Sequence, residues 1–118
     1  MTLSPFGLAA LAAALLLPLG AGAATLTLEL PGNLDQQSVA YACDGSDAKL
    51  AVTYYNLPDT QLAVLPVKGT PRAFVSVLAG SGAKYVSGST VWWTRGNVAD
   101  LYDERTPDAK PVRCKVSK

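Results

Sequence analysis

The sequence has no histidine, two cysteines and almost no excess charge, and each of these shortages excludes a class of protein. Lys and Arg number 10 against 9 Asp and Glu, so the formal charge is +1. Nucleic-acid binding normally needs a basic face that replaces counterions around phosphate, and this balance does not indicate one. Without histidine no Ser-His-Asp or Cys-His site can form, and two cysteines leave a tetrahedral zinc site half-ligated. We expect no catalytic triad, cofactor, metal site or nucleic-acid partner.

Charge is missing altogether from positions 1–24, which are rich in Leu, Ala and Gly. An apolar run at 8–17 is followed by Pro18 and the small-residue site Ala21-Gly22-Ala23, a pattern typical of a secretory signal peptide. The run is shorter than the roughly 20 residues that span a bilayer, and no stop-transfer cation follows, which favours cleavage over an anchor. The segment departs from the usual pattern because its start carries no Lys or Arg. We predict that 1–23 is removed and that 24–118 is one exported domain without membrane insertion.

The two cysteines, Cys43 and Cys114, lie near opposite ends of the predicted mature chain. Pairing is the default in an oxidising compartment, and two separate buried thiols are the alternative. A disulfide between them would close a loop of 71 residues. Such a bond stabilises a small domain by roughly 4 kcal/mol in the chain-entropy model.

Apolar and polar residues alternate with a period of two through most of the mature chain, and turn residues interrupt the pattern repeatedly. This pattern is typical of antiparallel sheet, and no segment after Ala24 sustains a helical period over three turns. We predict eight or nine short strands, with candidates at 25–30, 39–43, 50–54, 62–67, 74–78, 84–87, 90–94, 98–102 and 112–116.

So many short strands in one small domain can bury a core as a sandwich or as a closed barrel. We favour an all-β antiparallel barrel, because closure removes the exposed strand edges that invite aggregation. A disulfide between Cys43 on an early strand and Cys114 on the last would join the two ends of the sheet at the barrel seam.

The segment 80–96 combines glycine, hydroxyl, aromatic and cationic residues, a composition typical of contact loops. Ser81 lies between two glycines, which leave its hydroxyl little shielded. Trp92 and Trp93 are adjacent, so in a strand one ring faces the core and the other faces outward. Arg95 follows at the predicted strand end. Taken singly, these residues also fit a hairpin turn at Ser81, exposed charges at Lys84 and Arg95, and a barrel-core ring at Tyr85. Composition alone therefore leaves the partner open.

The order of motifs resembles the inhibitors of C-type lysozymes, which occur as membrane-bound lipoproteins and as soluble periplasmic proteins. The resemblance covers roughly 39–116 and comprises Tyr41-Ala42-Cys43, Leu50-Ala51-Val52-Thr53-Tyr54 with Asn56, Ser81-Gly82-Ala83-Lys84-Tyr85, Trp92-Trp93-Thr94-Arg95-Gly96 with Ala99, and Cys114. It implies an eight-stranded antiparallel barrel with one disulfide, made by Gram-negative bacteria. It also implies a monomeric or dimeric inhibitor that protects peptidoglycan from host lysozyme, and not an enzyme.

The resemblance also assigns the contact residues. The family's Ser-Gly-x-x-Tyr and Lys-Gly motifs, with the threonine before the second, fall on Ser81, Gly82, Tyr85, Thr94, Arg95 and Gly96. The implied role of the first motif is to insert its serine into the lysozyme cleft, with the cation of the second beside it. Arg95 stands where the family commonly has lysine, and a planar guanidinium fills a cleft differently from an ammonium. No cysteine near the predicted cleavage site could carry a lipid, which indicates the periplasmic form.

Two other functions remain open from the residues alone. An exposed tryptophan could stack on a sugar ring, as in a periplasmic glycan-binding or peptidoglycan-binding module. Asp100 and Asp103 could serve as the paired carboxylates of a hydrolase, although their spacing does not require them to face one another.

Overall fold

Eight strands joined by short turns and loops account for most of the computed structural model, which describes residues 22–117. Each strand pairs antiparallel with the next, and the first pairs with the last, so the sheet is a closed barrel. No helix within the described residues is long and apolar enough to cross a membrane. The strands are β1 Asp35–Cys43, β2 Lys49–Asn56, β3 Gln61–Val67, β4 Thr70–Val77, β5 Ala83–Ser87, β6 Thr90–Arg95, β7 Val98–Asp103 and β8 Val112–Val116.

The core fills the barrel because every second residue of each strand points inward. In β3, Ala63 and Leu65 are buried while Val64 between them is partly exposed. The buried core residues come from all eight strands: Tyr41, Val52, Ala63, Leu65, Phe74, Tyr85, Trp92, Ala99 and Cys114. The predicted all-β barrel is confirmed.

A covalent bond closes the seam between β1 and β8. Cys43 and Cys114 are directly opposed in the ladder, with Cα atoms 3.9 Å apart, and form a disulfide. Backbone hydrogen bonds continue the pairing beyond the strands, from Asp44 N to Arg113 O and from Ser117 N to Ala40 O. The predicted pairing of the two cysteines is confirmed, and the alternative of two separate thiols is wrong.

The segment before β1 differs from the prediction. The expected strand at 25–30 does not form, and Leu26, Leu28 and Leu30 are exposed. A closed barrel offers no free edge on which a ninth strand could pair, so alternation alone was not sufficient. The other eight predicted strands are confirmed, with β1 and β4 both beginning four residues earlier than expected. The predicted signal segment 1–23 lies outside the described residues except for its last two positions.

A series of hydrogen bonds between aromatic side chains runs through the core on the inner side of β6. The indole N–H of Trp92 donates to the hydroxyl of Tyr54 at 2.9 Å, and that hydroxyl lies 2.7 Å from the hydroxyl of Tyr41. The Trp92 and Tyr41 rings meet edge to face with centroids 5.0 Å apart. Burial raises the phenol pKa of Tyr41, Tyr54 and Tyr85, so all three stay protonated at neutral pH. This satisfied network fixes the inner face of β6.

The turns leave the barrel alternately at its two ends. The β2–β3, β4–β5 and β6–β7 connections lie at one end, and the other four connections lie at the opposite end. The β4–β5 loop at 78–82 and the β6–β7 turn at 96–97 therefore emerge at the same end of the barrel.

Candidate functional site

The β4–β5 loop lies against the end of β6, and Gly82 makes this close approach possible. Ala83 pairs with Thr94, which brings the residues before Ala83 beside the residues after Thr94. Gly82 has a φ of +65°, and a Cβ placed there would lie 2.1 Å from the carbonyl oxygen of Thr94 and 2.9 Å from Cγ of Arg95. Only glycine fits both the backbone angle and the space. The structure thus brings Ser81 and Arg95 together.

The outer face of β6 carries Trp93, which contacts both parts of the site. Its indole N–H donates to the backbone carbonyl of Ser81 at 2.8 Å. The guanidinium carbon of Arg95 lies 4.1 Å from its ring centroid, and Nζ of Lys84 lies 5.1 Å from it. Trp92 points into the barrel and is fully buried. The prediction that the two rings face opposite sides is confirmed.

Arg95 also lies beside a cross-strand ion pair on the outer face. Its Nη1 is 3.7 Å from Oδ2 of Asp100, and 46% of the Arg95 side chain is exposed. Arg113 binds the same carboxylate through Nε at 2.9 Å and Nη2 at 3.0 Å, and this bond raises the pKa of Arg113. Because Arg113 engages both carboxylate oxygens, Arg95 keeps guanidinium donors available for a partner.

The six predicted contact residues fall into two groups. Ser81, Gly82, Arg95 and Gly96 are exposed at one end of the barrel, as a contact surface requires. Tyr85 is only 6% exposed and packs against Tyr54 with ring centroids 5.6 Å apart. The partly buried Thr94 donates its hydroxyl to the carbonyl of Ala83 at 3.3 Å.

The strand directs the ring of Tyr85 into the barrel, and a direct contact of Tyr85 with a partner stays a prediction. Thr94 faces inward as well, since it pairs with the buried Ala99 in the ladder. Tyr85 and Thr94 thus stabilise β5 and β6, the strands that lie next to the exposed contact residues.

The two candidate hydrolase carboxylates do not form a pair. Asp100 opposes Trp93 on the outer side, whereas Asp103 opposes Thr90, three positions along the strand and on the inner side. Arg105 binds both oxygens of Asp103, and these hydrogen bonds hold the pKa of Asp103 well below its usual range. Within residues 22–117, no group of three or more acidic, cysteine or histidine side chains is placed to hold a metal ion.

Comparison with known proteins decides the family. The family model described as membrane-bound lysozyme-inhibitor of c-type lysozyme matches residues 41–110. The chain belongs to this family. A membrane-bound lysozyme inhibitor of C-type lysozyme from Cupriavidus necator is 42% identical over 108 residues, covering 87% of this chain and 86% of that protein. A protein of the same description from Pseudomonas aeruginosa is 44% identical over 80 residues, covering 65% of this chain and 62% of that protein.

A solved structure shares the fold. The crystal structure of Pseudomonas aeruginosa MliC in complex with hen egg white lysozyme superposes with a TM-score of 0.69 at 37% sequence identity, covering 83% of this chain and 99% of that chain. The family is one of inhibitor proteins and not of enzymes.

Several residues of the site were not identified as such from the sequence. The first is Trp93, whose contacts link Ser81 to Arg95. The second is Asp100, whose carboxylate is shared by Arg95 and Arg113. A signal existed for the first, because Trp93 and Arg95 are two apart in one strand and must share a face. The second depends on the register between β7 and β8, which the lysozyme-inhibitor motifs do not encode.

Proposed function

We propose that this chain inhibits C-type lysozymes by placing the Ser81 loop and the Arg95 guanidinium in the catalytic cleft. The observation that carries this proposal is the contact at Gly82 between the β4–β5 loop and the end of β6, which brings Ser81 and Arg95 to one exposed end of the barrel. Membership of the lysozyme-inhibitor family and the likeness to a lysozyme-bound relative support the same partner.

The chemistry of the cleft explains why these two groups would block it. A retaining glycosidase holds one protonated and one ionised carboxyl about 5 Å apart in a groove shaped for sugar. The Ser81 hydroxyl both donates and accepts, so it can bond either carboxyl. The Arg95 guanidinium pairs with the ionised one. The complex excludes substrate and water without any covalent step.

These contacts are stronger in a cleft that excludes water than they would be on an exposed surface. Exposed ion pairs contribute about 0–1 kcal/mol, whereas truncating one member of a buried, hydrogen-bonded charge pair costs about 2–5 kcal/mol. The guanidinium is already stacked and oriented in the free inhibitor, so less side-chain freedom is lost on binding.

The test is protection of a bacterial cell suspension from clearing by C-type lysozyme, measured with Ser81→Ala and Arg95→Ala. Each variant should weaken inhibition at least tenfold, which corresponds to about 1.4 kcal/mol. Arg72→Ala and Ser46→Ala, exposed at the opposite end of the barrel, serve as matched controls and should inhibit like the parent. Full inhibition by both site variants would show that other residues occupy the cleft.

We further propose that residues 1–23 are a cleaved leader and that 24–118 act as an unlipidated periplasmic domain. The relatives are described as membrane-bound, which places this family in the cell envelope. Expression of the full chain in a Gram-negative host, followed by mass spectrometry of the fractionated protein, tests the leader and the lipid together. A mature protein that begins near Ala24 in the soluble periplasmic fraction supports the proposal, and a lipid-modified or uncleaved protein in the membrane fraction contradicts it.

A further inference from the structure

Trp93 touches both residues to which the proposed function assigns inhibition, and it does so through two different parts of one side chain. The edge of the indole bonds the carbonyl of Ser81, and the face of the ring lies under the guanidinium of Arg95. Both contacts lie on the outer surface, at the end of the barrel that carries the β4–β5 and β6–β7 connections. Neither belongs to the core network, which uses Trp92 instead.

The Ser81 loop needs such a tether because it gains little from burial. Leu78, at its start, is 98% exposed, and Gly80, Ser81 and Gly82 are all exposed as well. A glycine-rich segment of this kind samples many conformations unless hydrogen bonds restrict it. The 2.8 Å bond from Trp93 Nε1 restrains the carbonyl of the same residue whose hydroxyl is proposed to enter the cleft.

The guanidinium of Arg95 is restrained in a different way. Its plane can stack on an aromatic face while its N–H groups remain directed elsewhere, which a lysine ammonium cannot do to the same extent. Here the stacked group also lies 3.7 Å from the carboxylate of Asp100. The ring of Trp93 thus gives a physical reason for a guanidinium rather than an ammonium at position 95.

We infer that Trp93 is a positioning residue that joins the β4–β5 loop to the end of β6, holding Ser81 through its indole N–H and Arg95 through its ring face before lysozyme is bound. This inference rests on the proposed function, since it concerns the presentation of the same two groups. It also assigns the exposed tryptophan to presentation of the site and not to stacking on a sugar.

The test is a set of double-mutant cycles on the oxidised inhibitor, measured as inhibition constants against a C-type lysozyme. Trp93→Phe keeps a ring and removes the N–H, and Trp93→Leu removes both. We expect losses of about fivefold and about 30-fold, from the loss of one exposed hydrogen bond and then of the stacking platform as well. Tyr102→Leu, an outward aromatic near the other end of the barrel, is the matched control and should leave inhibition unchanged.

The cycles distinguish positioning from a general structural role. In the Ser81→Ala background, the further loss caused by Trp93→Phe should fall below twofold. In the Arg95→Ala background, the further step from Trp93→Phe to Trp93→Leu should also fall below twofold. Additive losses in both backgrounds, or a Trp93→Leu variant that inhibits like the parent, would overturn the inference.

Failure of the proposed function gives a different result. If Ser81→Ala and Arg95→Ala alone inhibit like the parent, the loop assignment is wrong whatever Trp93 does. If both lose inhibition without coupling to Trp93, only the positioning role fails. Should Trp93→Leu not fold, as judged by its thermal midpoint, the cycle between Trp93→Phe and Ser81→Ala still decides the question.

Discussion

Replacement of Gly82 by alanine tests the contact between the β4–β5 loop and the end of β6 more directly than removal of Ser81 or Arg95 does. The new Cβ would lie 2.1 Å from the carbonyl oxygen of Thr94, where ordinary contacts begin at 3.4 Å. The obstacle is backbone, so the loop must retreat by about 1 Å, because a packed neighbour yields little. We therefore expect Gly82→Ala to separate the loop from β6 while the barrel stays folded.

The magnitude follows from the contacts that such a shift breaks. The bond from Trp93 to the Ser81 carbonyl is worth about 1 kcal/mol. The stacking of Arg95, whose Cγ would lie 2.9 Å from the new Cβ, is worth about 0.5–1 kcal/mol at an exposed site. Loss of both contacts removes roughly 2 kcal/mol of the free energy that holds Ser81 and Arg95 in the arrangement proposed to bind lysozyme. Inhibition should therefore weaken about 30-fold.

Two other glycines provide the controls. Gly88 has a φ of +60°, close to that of Gly82, but a Cβ there meets nothing within 4 Å. Gly88→Ala thus carries only the cost of the left-handed backbone, about 1–2 kcal/mol. Gly80 lies in the same loop as Gly82, and a Cβ there also meets nothing within 4 Å.

The assay pairs the rate of cell-suspension clearing by lysozyme with a thermal melt of each variant. We expect both Gly82→Ala and Gly88→Ala to lose stability, Gly82→Ala more because it also loses the two contacts, while only Gly82→Ala loses inhibition. Gly80→Ala should behave like the parent in both measurements. If Gly82→Ala inhibits as well as Gly88→Ala does, the loop is not held against β6 and the reasoning is refuted.

Two further predictions concern the barrel itself. Reduction of the Cys43–Cys114 disulfide, which spans 71 residues, should lower the unfolding free energy by roughly 4 kcal/mol. Calorimetry should show the fall, inhibition should persist below the lowered midpoint, and an unchanged midpoint would contradict the prediction. Folding raises the phenol pKa of Tyr41, Tyr54 and Tyr85 above the ordinary 10.0, so their contribution to stability is complete below pH 10 and is lost as pH rises beyond it. Melts across pH 8–12 should show a steeper alkaline decline for the parent than for Tyr54→Phe, and parallel curves would count against burial as the cause.

The local pattern of the sequence was sufficient for the barrel and for part of the site. Alternation is a property of single strands, and it correctly placed Trp92 inside and Trp93 outside. It failed at 25–30, where the same alternation occurs without a partner strand. Whether such a segment pairs depends on free edges elsewhere in the sheet, which no local pattern records.

Contacts between strands were the part that the sequence could not supply. Arg113 meets Asp100 because β7 and β8 pair in one register, and a shift by one residue would send the two side chains to opposite faces. The burial of Tyr85 was different, since a core position was already favoured for this residue taken alone and the structure confirms it. The loop-to-strand contact at Gly82 depends on a backbone angle as well as on register.

The disulfide joins β1 to β8, and β4 and β5 lie half-way around the ring from that seam. The disulfide and the Ser81 loop that we propose to enter the lysozyme cleft therefore lie on opposite sides of one small barrel. Substitutions in the Ser81 loop that would adapt it to a different lysozyme lie away from the disulfide and should leave that bond undisturbed. For an engineer, the same separation makes the barrel a scaffold whose recognition end can be exchanged while its resistance to unfolding is retained.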